Sequence, residues 1–322
     1  YDAVRYQIGR GVLEALGIGF DLQADDLAAR GNFCTVDANG RVVDRRAGRI
    51  PTEKCEELCR ELQKLQIPGV RIFVEPVREH RFLLVLRGEG LVEGVAETDP
   101  GHLGSPPLKP VAESPEATGT AEMIGRFVDD AQERLAGHEP ANMVLLRGFA
   151  KLPEWPTFPE TFGLRSVAVA QYPMYRGVAK LVGMDAAEVG AAREDLFTTL
   201  ERVWPDYDFA FVHVKDTDKA GEDGDFDRKV SAIEGIDTFV PALVGLKPDV
   251  ILVTGDHSTP AALRSHSWHP VPFLLWASTC RRDEVERFGE RWCLKGGGGL
   301  CRSEDLMPMA LAHAERLAKF GA

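Results

Sequence analysis

Residues 207–225 read YDFAFVHVKDTDKAGEDGD, an apolar run followed at once by a stretch rich in acidic residues. The apolar run predicts a buried strand over Tyr207–Val214. The same alternation of strand and helix recurs through the C-terminal half and is typical of an α/β domain built on a parallel sheet. The further predicted strands are Ser166–Tyr172, Asp249–Val253 and Pro272–Ala277, and the predicted helices are Met174–Met184, Glu194–Trp204, Phe226–Leu246 and Ser303–Phe320.

Residues 20–162 show a different pattern, which predicts a smaller α+β unit. The predicted strands are Asn32–Val36, Arg71–Val77, Phe82–Leu86 and Met143–Leu146, and the predicted helices are Glu53–Leu65 and Thr120–Leu135. The stretch Thr98–Pro115 contains five prolines and is expected to form a surface loop. A chain of 322 residues that is 44% hydrophobic has enough apolar material for two cores, so two domains are expected.

The composition excludes several classes of protein. A formal net charge of −12 argues against nucleic acid or an anionic membrane as a general partner, because both need a broad basic surface. No apolar run is long enough to span a bilayer and no basic-then-apolar leader opens the sequence, so a cytoplasmic protein is expected.

The six cysteines are scattered. Cys55 and Cys59 share one helix face and are predicted to be reduced structural thiols rather than a metal pair.

Polar residues follow the predicted strands of the C-terminal half, where ligands bind in open α/β sheets. Asp218 follows the strand quoted first, Asp256 and His257 follow Asp249–Val253, and His266 comes nine residues later. Alone, each fragment is more often a solvated acidic loop or a turn cap. Together, carboxylates and imidazoles suit Mn, Zn, Co or Mg. Two such ions, about 3.5–4 Å apart, stabilise both the attacking and the leaving oxygen of a phosphoryl transfer.

The first 49 residues contain seven arginines and no lysine. Guanidinium groups bind phosphate and carboxylate through two parallel hydrogen bonds, which an ammonium group cannot do. The chain is rich in arginine throughout, so the pattern only supports the hypothesis of a small anionic substrate.

Eight stretches occur in the order of one known family: GRGVLEALG (9–17), RGNFCTV (30–36), DRRAGRI (44–50), TDP (98–100), NMVLLRG (142–148), HVKDTDKAGEDGD (213–225), TGDHSTP (254–260) and HSWHPVP (266–272). Together they resemble the archaeal-type cofactor-independent phosphoglycerate mutases of the alkaline phosphatase superfamily. The resemblance implies an α/β fold: an alkaline-phosphatase-like core sheet with helices on both faces and an inserted smaller α+β lid domain. The core would comprise residues 1–19 and 163–322, and the substrate-binding lid residues 20–162.

The resemblance also implies an activity and a set of site residues. The enzyme would interconvert 3- and 2-phosphoglycerate through a phosphoserine, with two divalent metals, manganese preferred over zinc, cobalt or magnesium, and without 2,3-bisphosphoglycerate. Asp218 and His266 match ligands of one metal, and Asp256 and His257 match ligands of the other. The residues expected to bind substrate are Asp44, Arg45, Arg46, Arg49, Arg10 and Arg147. Lys180 is expected, with Arg147, to help hold the phosphoryl group.

Three departures from the family pattern affect these expectations. Glu222 stands where the family has a histidine, four residues after the metal-binding aspartate; it is expected to remain a ligand and to make the site harder. A Gly/Thr-rich segment of the family has no counterpart after Val189. The nucleophilic serine and a further metal-binding aspartate belong to a strand that precedes the position matching Tyr1, so the chain that begins there is expected to be inactive by itself. Ser258 and Thr259 are expected to be loop-capping hydroxyls rather than substitute nucleophiles.

Two alternatives stay open at this stage. Relatives of the family have been proposed to act as homoserine kinases, which would keep the phosphoryl chemistry and change the substrate. A degenerate homologue that binds a ligand without turnover is the other alternative, and Glu222 is the residue that favours it. The sequence contains no feature that indicates an oligomeric state.

Overall fold

The computed structural model describes Tyr1 and residues 5–317. The chain divides into two units. The N-terminal unit consists of Tyr6–Val189 and Asp206–Phe211, and the C-terminal unit consists of Tyr1–Arg5, Gly190–Pro205 and Val212–Ala322. The predicted lid, residues 20–162, lies within the N-terminal unit, which also includes the helix before it and the strands after it.

The N-terminal unit is a mixture of helices and short strands. In chain order its elements are α1 (Arg10–Ile18), β1 (Leu27–Val36), β2 (Val42–Asp44), α2 (Thr52–Leu62), β3 (Arg71–Arg78), β4 (Arg81–Arg87), α3 (Thr118–Leu135), β5 (Met143–Ala150), α4 (Phe158–Phe162), β6 (Ser166–Ala170), α5 (Pro173–Leu181) and β7 (Asp185–Ala186).

The main sheet of this unit has five antiparallel strands in the order β2-β1-β4-β3, with β5 also paired to β1. Both of its faces are covered. Phe82 lies in an apolar cluster with Leu58 of α2 and Phe127 of α3. Leu83, the next residue of β4, lies in a second cluster with Val12 of α1. Successive strand residues point to opposite faces, so the unbroken apolar sequence of β4 follows from a sheet buried on both sides.

The predicted elements of residues 20–162 are confirmed, with small shifts at their ends. β1 is longer than predicted because it pairs along its length with both β4 and β5. The short strand β2 is an addition. Thr98–Pro115 forms neither a helix nor a strand of its own apart from an isolated bridge at Ala112 and a turn at its end, as expected for the proline-rich loop. A second sheet has the order β7-β6-β8, where β8 is Phe209–His213, and β6 and β7 are parallel.

The C-terminal unit carries the remaining elements. They are α6 (Glu194–Val203), β8 (Phe209–His213, whose first three residues belong to the N-terminal unit), α7 (Asp216–Asp223), α8 (Phe226–Asp237), α9 (Val240–Gly245), β9 (Val250–Val253), β10 (Leu274–Ala277), α10 (Glu290–Cys293) and α11 (Leu306–His313).

One helix in this half was not predicted, and three predictions were wrong in detail. The acidic stretch after β8 is a helix, α7, whose first turn contains Asp216 and Asp218, where the helix dipole favours negative charge. The single helix predicted over Phe226–Leu246 is two helices, because Pro241, in the first turn of α9, cannot donate a backbone hydrogen bond within a continuing helix. β9 and β10 are antiparallel rather than parallel, since no helix crosses between them.

The third correction concerns the last helix. Its predicted range was Ser303–Phe320, but Ser303–Asp305 forms a 3-10 turn and α11 ends at His313. Glu315 has a φ of 56°, outside the right-handed helical region, which ends the helix. The end of the predicted range, from residue 318, lies outside the described residues.

All six cysteines are free, and Cys34, Cys55 and Cys59 are buried. The Sγ atoms of Cys55 and Cys59 are 3.9 Å apart on one face of α2. Burial raises the pKa of the Cys34 thiol to about 12, and a hydrogen bond with Cys55, together with burial, raises the pKa of Cys59. These are reduced thiols of the core, as predicted. Among the described residues, no helix is long and apolar enough to cross a membrane.

Candidate metal centre and anion-binding residues

Three predicted metal ligands converge in the C-terminal unit. One ligand atom each from Asp218, His257 and His266 lie within 4.8 Å of one another. Asp218 Oδ1 is 3.5 Å from His266 Nε2 and 3.9 Å from His257 Nδ1. The two imidazole rings are stacked, with centroids 3.8 Å apart. Carboxylate oxygens and imidazole nitrogens are donors that fit divalent transition metals.

The loop between β9 and β10 brings the two histidines together. Ser258 and Ser267 form an isolated antiparallel bridge, in which Ser267 N donates to Ser258 O at 2.9 Å. His257 and His266 each directly precede a bridge residue. The stacking therefore depends on a loop that folds back on itself, and not on two strand ends alone.

The Asp218 carboxylate is held by two donors. Lys215 Nζ donates to Oδ2, and Thr259 Oγ1 donates to Oδ1 at 2.5 Å. Burial alone would raise the pKa of Asp218, but these hydrogen bonds outweigh it and lower the pKa below its ordinary value. The side chain is only 13% exposed. Asp218 is thus a fixed anion, as a metal ligand must be.

The two other predicted ligands, Asp256 and Glu222, each lie close to one of the two histidines. Asp256 Oδ2 is 3.4 Å from His257 Nε2, and Glu222 Oε1 is 3.6 Å from His266 Nε2. Both carboxylates are about half exposed. The predicted ligands therefore fall into two neighbouring sets, one around each histidine.

Thr259, Gly221 and Lys229 support this arrangement and were not predicted as site residues. A Cβ atom on Gly221 would lie 2.2 Å from Thr259 O, so only glycine lets α7 approach the loop this closely. Lys229 Nζ donates to the same carbonyl at 2.6 Å. The hydroxyl of Thr259 bonds Asp218, and that of Ser258 donates to His269 O. Ser258 thus bonds within its own loop, as expected of a loop-capping hydroxyl, whereas Thr259 bonds a carboxylate of α7.

The predicted substrate residues lie in the N-terminal unit, where DRRAGRI forms a left-handed turn. Ala47, Gly48 and Arg49 have φ values of 45°, 63° and 54°. Asp44 stabilises the turn by accepting hydrogen bonds from the backbone N–H groups of Arg46 and Gly48 at 2.8 and 2.6 Å. Left-handed residues other than glycine cost about 1–2 kcal/mol each, and strain of this kind clusters at ligand sites. The turn leaves Arg46 and Arg49 exposed.

Arg45 and Arg147 flank one buried carboxylate. Arg45 binds Asp99 through two hydrogen bonds of 3.0 and 2.7 Å. Arg147 Nη1 is 3.6 Å from Asp99 Oδ2, and its Nε is 3.1 Å from Glu97 Oε2. Burial would raise the pKa of Asp99, but the Arg45 hydrogen bonds, that of Gly101 and the charges of both arginines lower it. The carboxylates hold these two guanidinium groups in fixed positions.

Arg10 and Lys180 lie near α1. Arg10 is exposed at the first position of α1, and its backbone nitrogen would be 2.5 Å from a Cβ on Gly148, the residue after Arg147. Lys180 lies in the last turn of α5. Its Nζ would be 3.9 Å from a Cβ atom placed on Gly19, which is an ordinary van der Waals distance. Gly19 caps the C-terminus of α1, where a cation is favoured by the helix dipole.

The buried histidine His80 was not singled out from the sequence. His80 is 3% exposed. Burial, together with the charges of Arg81, Arg46, Arg30 and Arg49, lowers its pKa to about 4 and keeps the imidazole neutral. Arg30 is the first residue of the RGNFCTV motif, and this motif was the sequence feature that could have drawn attention to the region. The charges of four arginines from different parts of the N-terminal unit thus act on one neutral side chain.

Family models match the chain in two overlapping parts. A model described as 2,3-bisphosphoglycerate-independent phosphoglycerate mutase matches residues 1–141, and one described as the metalloenzyme superfamily matches residues 80–313. A protein of Aquifex aeolicus named "Probable 2,3-bisphosphoglycerate-independent phosphoglycerate mutase" is 47% identical over 100% of this chain and 82% of its own length. A Thermus thermophilus protein of the same name is 46% identical over 100% of this chain and 80% of its own length. The chain belongs to this mutase family.

Solved structures also agree with the fold. A Pyrococcus horikoshii protein matches with a TM-score of 0.82 and 30% identity, covering 100% of this chain and 82% of the other. The "Cofactor-Independent Phosphoglycerate mutase" of Thermoplasma acidophilum matches with a TM-score of 0.68 and 29% identity, covering 98% and 83%. The predicted membership and the mixed α/β fold are thus confirmed.

Proposed function

We propose that the protein is a phosphoglycerate mutase that interconverts 3- and 2-phosphoglycerate in cytoplasmic glycolysis and gluconeogenesis, independently of 2,3-bisphosphoglycerate. The observation that carries this proposal is the cluster of Asp218, His257 and His266 in a chain of the mutase family. We assign residues 20–162 as the substrate lid and residues 1–19 with 163–322 as the metal-binding core.

Two divalent ions, with manganese preferred, fit the two sets of ligands around the histidines. We assign Asp218, His266 and Glu222 to one ion, and Asp256 and His257 to the other. When bound, such ions neutralise phosphoryl oxygens and lower the pKa of an attacking hydroxyl. The residues of this chain supply the fixed negative charge and the imidazole nitrogens, and Lys215 and Thr259 keep the Asp218 carboxylate in place.

Phosphoglycerate carries a phosphate and a carboxylate, and we assign both to the arginine residues of the lid. In the lid, Arg46 and Arg49 are presented by the strained turn, and Arg45 and Arg147 are held beside Asp99. Arg10 and Lys180, which lie in the core ranges, complete the predicted set. A closed lid would exclude water, because water at a phosphoserine would give hydrolysis in place of transfer.

The assay that tests this function uses the natural protein, including any residues that precede Tyr1, with Mn²⁺, because the family resemblance places the nucleophilic serine in a strand before that position. We expect conversion of 3-phosphoglycerate to 2-phosphoglycerate without added 2,3-bisphosphoglycerate. The same protein is incubated with homoserine and ATP. Phosphorylation of homoserine without mutase activity would support a kinase, and metal binding without either reaction would support a degenerate homologue.

Arg46→Ala and Arg147→Ala are expected to weaken binding of 3-phosphoglycerate without unfolding the protein. A charged hydrogen bond contributes about 1.5–3 kcal/mol, so each variant should raise the Kd by about 10- to 100-fold. Arg60→Ala, which removes an exposed arginine of α2, is the matched control. Calorimetric titration measures the three affinities. Unchanged affinity in both lid variants would remove these arginines from the substrate site.

Glu222→His is expected to shift the metal preference towards Zn²⁺, because an imidazole replaces a hard carboxylate next to His266. The ratio of Zn²⁺ to Mn²⁺ affinity is measured by competition titration. Asp223→His is the control, since Asp223 lies on the same helix but is paired with Arg228 at 3.0 Å. If both variants keep the original ratio, Glu222 is not a ligand.

A further inference from the structure

The hydroxyl of Thr259 lies between two predicted metal ligands. Thr259 is 4% exposed. Its Oγ1 is 2.5 Å from Asp218 Oδ1 and 3.1 Å from His257 Nδ1. The two neighbours belong to different predicted sets, so one side chain touches a ligand of each.

The number of available protons fixes which group donates in each of these two hydrogen bonds. A threonine hydroxyl has one proton, and a carboxylate can only accept. The short contact with Asp218 therefore uses the hydroxyl proton. The oxygen of Thr259 is then an acceptor towards His257, so Nδ1 of His257 must carry a proton. This holds for the imidazolium and for the neutral ring, and in the neutral ring it leaves the lone pair on Nε2.

The position of Nε2 makes this tautomer suitable for binding a cation. His257 Nε2 lies 3.4 Å from Asp256 Oδ2. With its lone pair on Nε2, the ring and the carboxylate present two acceptors to the same space, which suits a cation. The opposite tautomer would fill that space with the N–H proton.

The backbone of Thr259 is held in place by two helices. Its carbonyl accepts the hydrogen bond from Lys229 of α8 and lies against Gly221 of α7, where no side chain would fit. The carbonyl anchor limits rotation of the loop around Thr259. The hydroxyl therefore stays between Asp218 and His257.

We propose that Thr259 is a positioning residue that selects the tautomer of His257 in which Nε2 binds the metal. The proposal rests on the metal site of the proposed function, and it adds a residue that touches no substrate. Outer partners of this kind orient a histidine ligand and set its tautomer.

The test compares Thr259→Val with Thr259→Ser in the full-length protein. Long-range ¹H–¹⁵N spectra of the metal-free protein report which nitrogen of His257 carries the proton. We expect the Nδ1–H form in the natural protein and in the Ser variant, and increased Nε2–H form in the Val variant, because its Nδ1–H loses the acceptor. Titration with Mn²⁺ alone should show an affinity about 10- to 100-fold lower for the Val variant only.

Ser258→Ala is the control, since the hydroxyl of Ser258 donates to His269 O and contacts neither ligand. An Nε2–H ring in the natural protein, or a Val variant with unchanged tautomer and affinity, would overturn the proposal. If the Val variant does not fold, the spectrum of the natural protein still decides. The spectra do not depend on turnover, so a protein with the Nδ1–H ring but no mutase activity would contradict the proposed function alone.

Discussion

Asp218→Asn is expected to reduce Mn²⁺ affinity by at least 100-fold and to abolish phosphoryl transfer. Changing an outer partner of a metal ligand already costs about 10- to 100-fold, and this variant removes the negative charge of a predicted ligand itself. Asparagine keeps the shape of the side chain and an acceptor for Thr259, so the loop should remain folded. Calorimetric titration with Mn²⁺ measures the loss, and circular dichroism verifies the fold.

Asp216→Asn is the matched control for this experiment. Asp216 lies in the same turn of α7, but its carboxylate is bonded to Arg193 at 2.8 Å. The control should lose that surface pair and keep the metal. Equal Mn²⁺ affinity in the Asp218→Asn variant and in the natural protein would show that Asp218 does not hold the ion.

Arg30→Ala is expected to destabilise the N-terminal unit by about 3–5 kcal/mol, because it leaves a buried carboxylate without its partner. Arg30 Nε is 3.1 Å from Glu14 Oε1, with side-chain exposures of 11% and 6%. Burial lowers the pKa of Arg30 and the charge of Glu14 opposes this effect, as expected for a pair removed from water. Urea unfolding measures the change.

Two further variants make the reason for this loss testable. Arg126→Ala removes an exposed arginine of α3 and should change stability by less than about 0.5 kcal/mol. Arg30→Met combined with Glu14→Leu removes both charges and should recover most of the stability. A single variant as stable as the natural protein would mean that water or another group compensates Glu14.

The residues of the candidate metal centre could be predicted because short motifs carry them. Asp218, Asp256, His257 and His266 stand in three local stretches whose chemistry is readable without a structure. The residues that hold them could not be predicted in the same way. Thr259 was recognised only as a loop hydroxyl, since its link to Asp218 joins α7 to a loop 41 residues away.

The sequence by itself determined the family, the mixed α/β composition and most element positions, because apolar periodicity and motif order are local properties of the chain. Only the tertiary structure decided the antiparallel pairing of β9 with β10, the pairing of Arg30 with Glu14 and the arginine charges that act on His80. The physical reason is that strand pairing, burial and charge pairing depend on distances between residues far apart in the chain, which fold geometry fixes and local sequence does not.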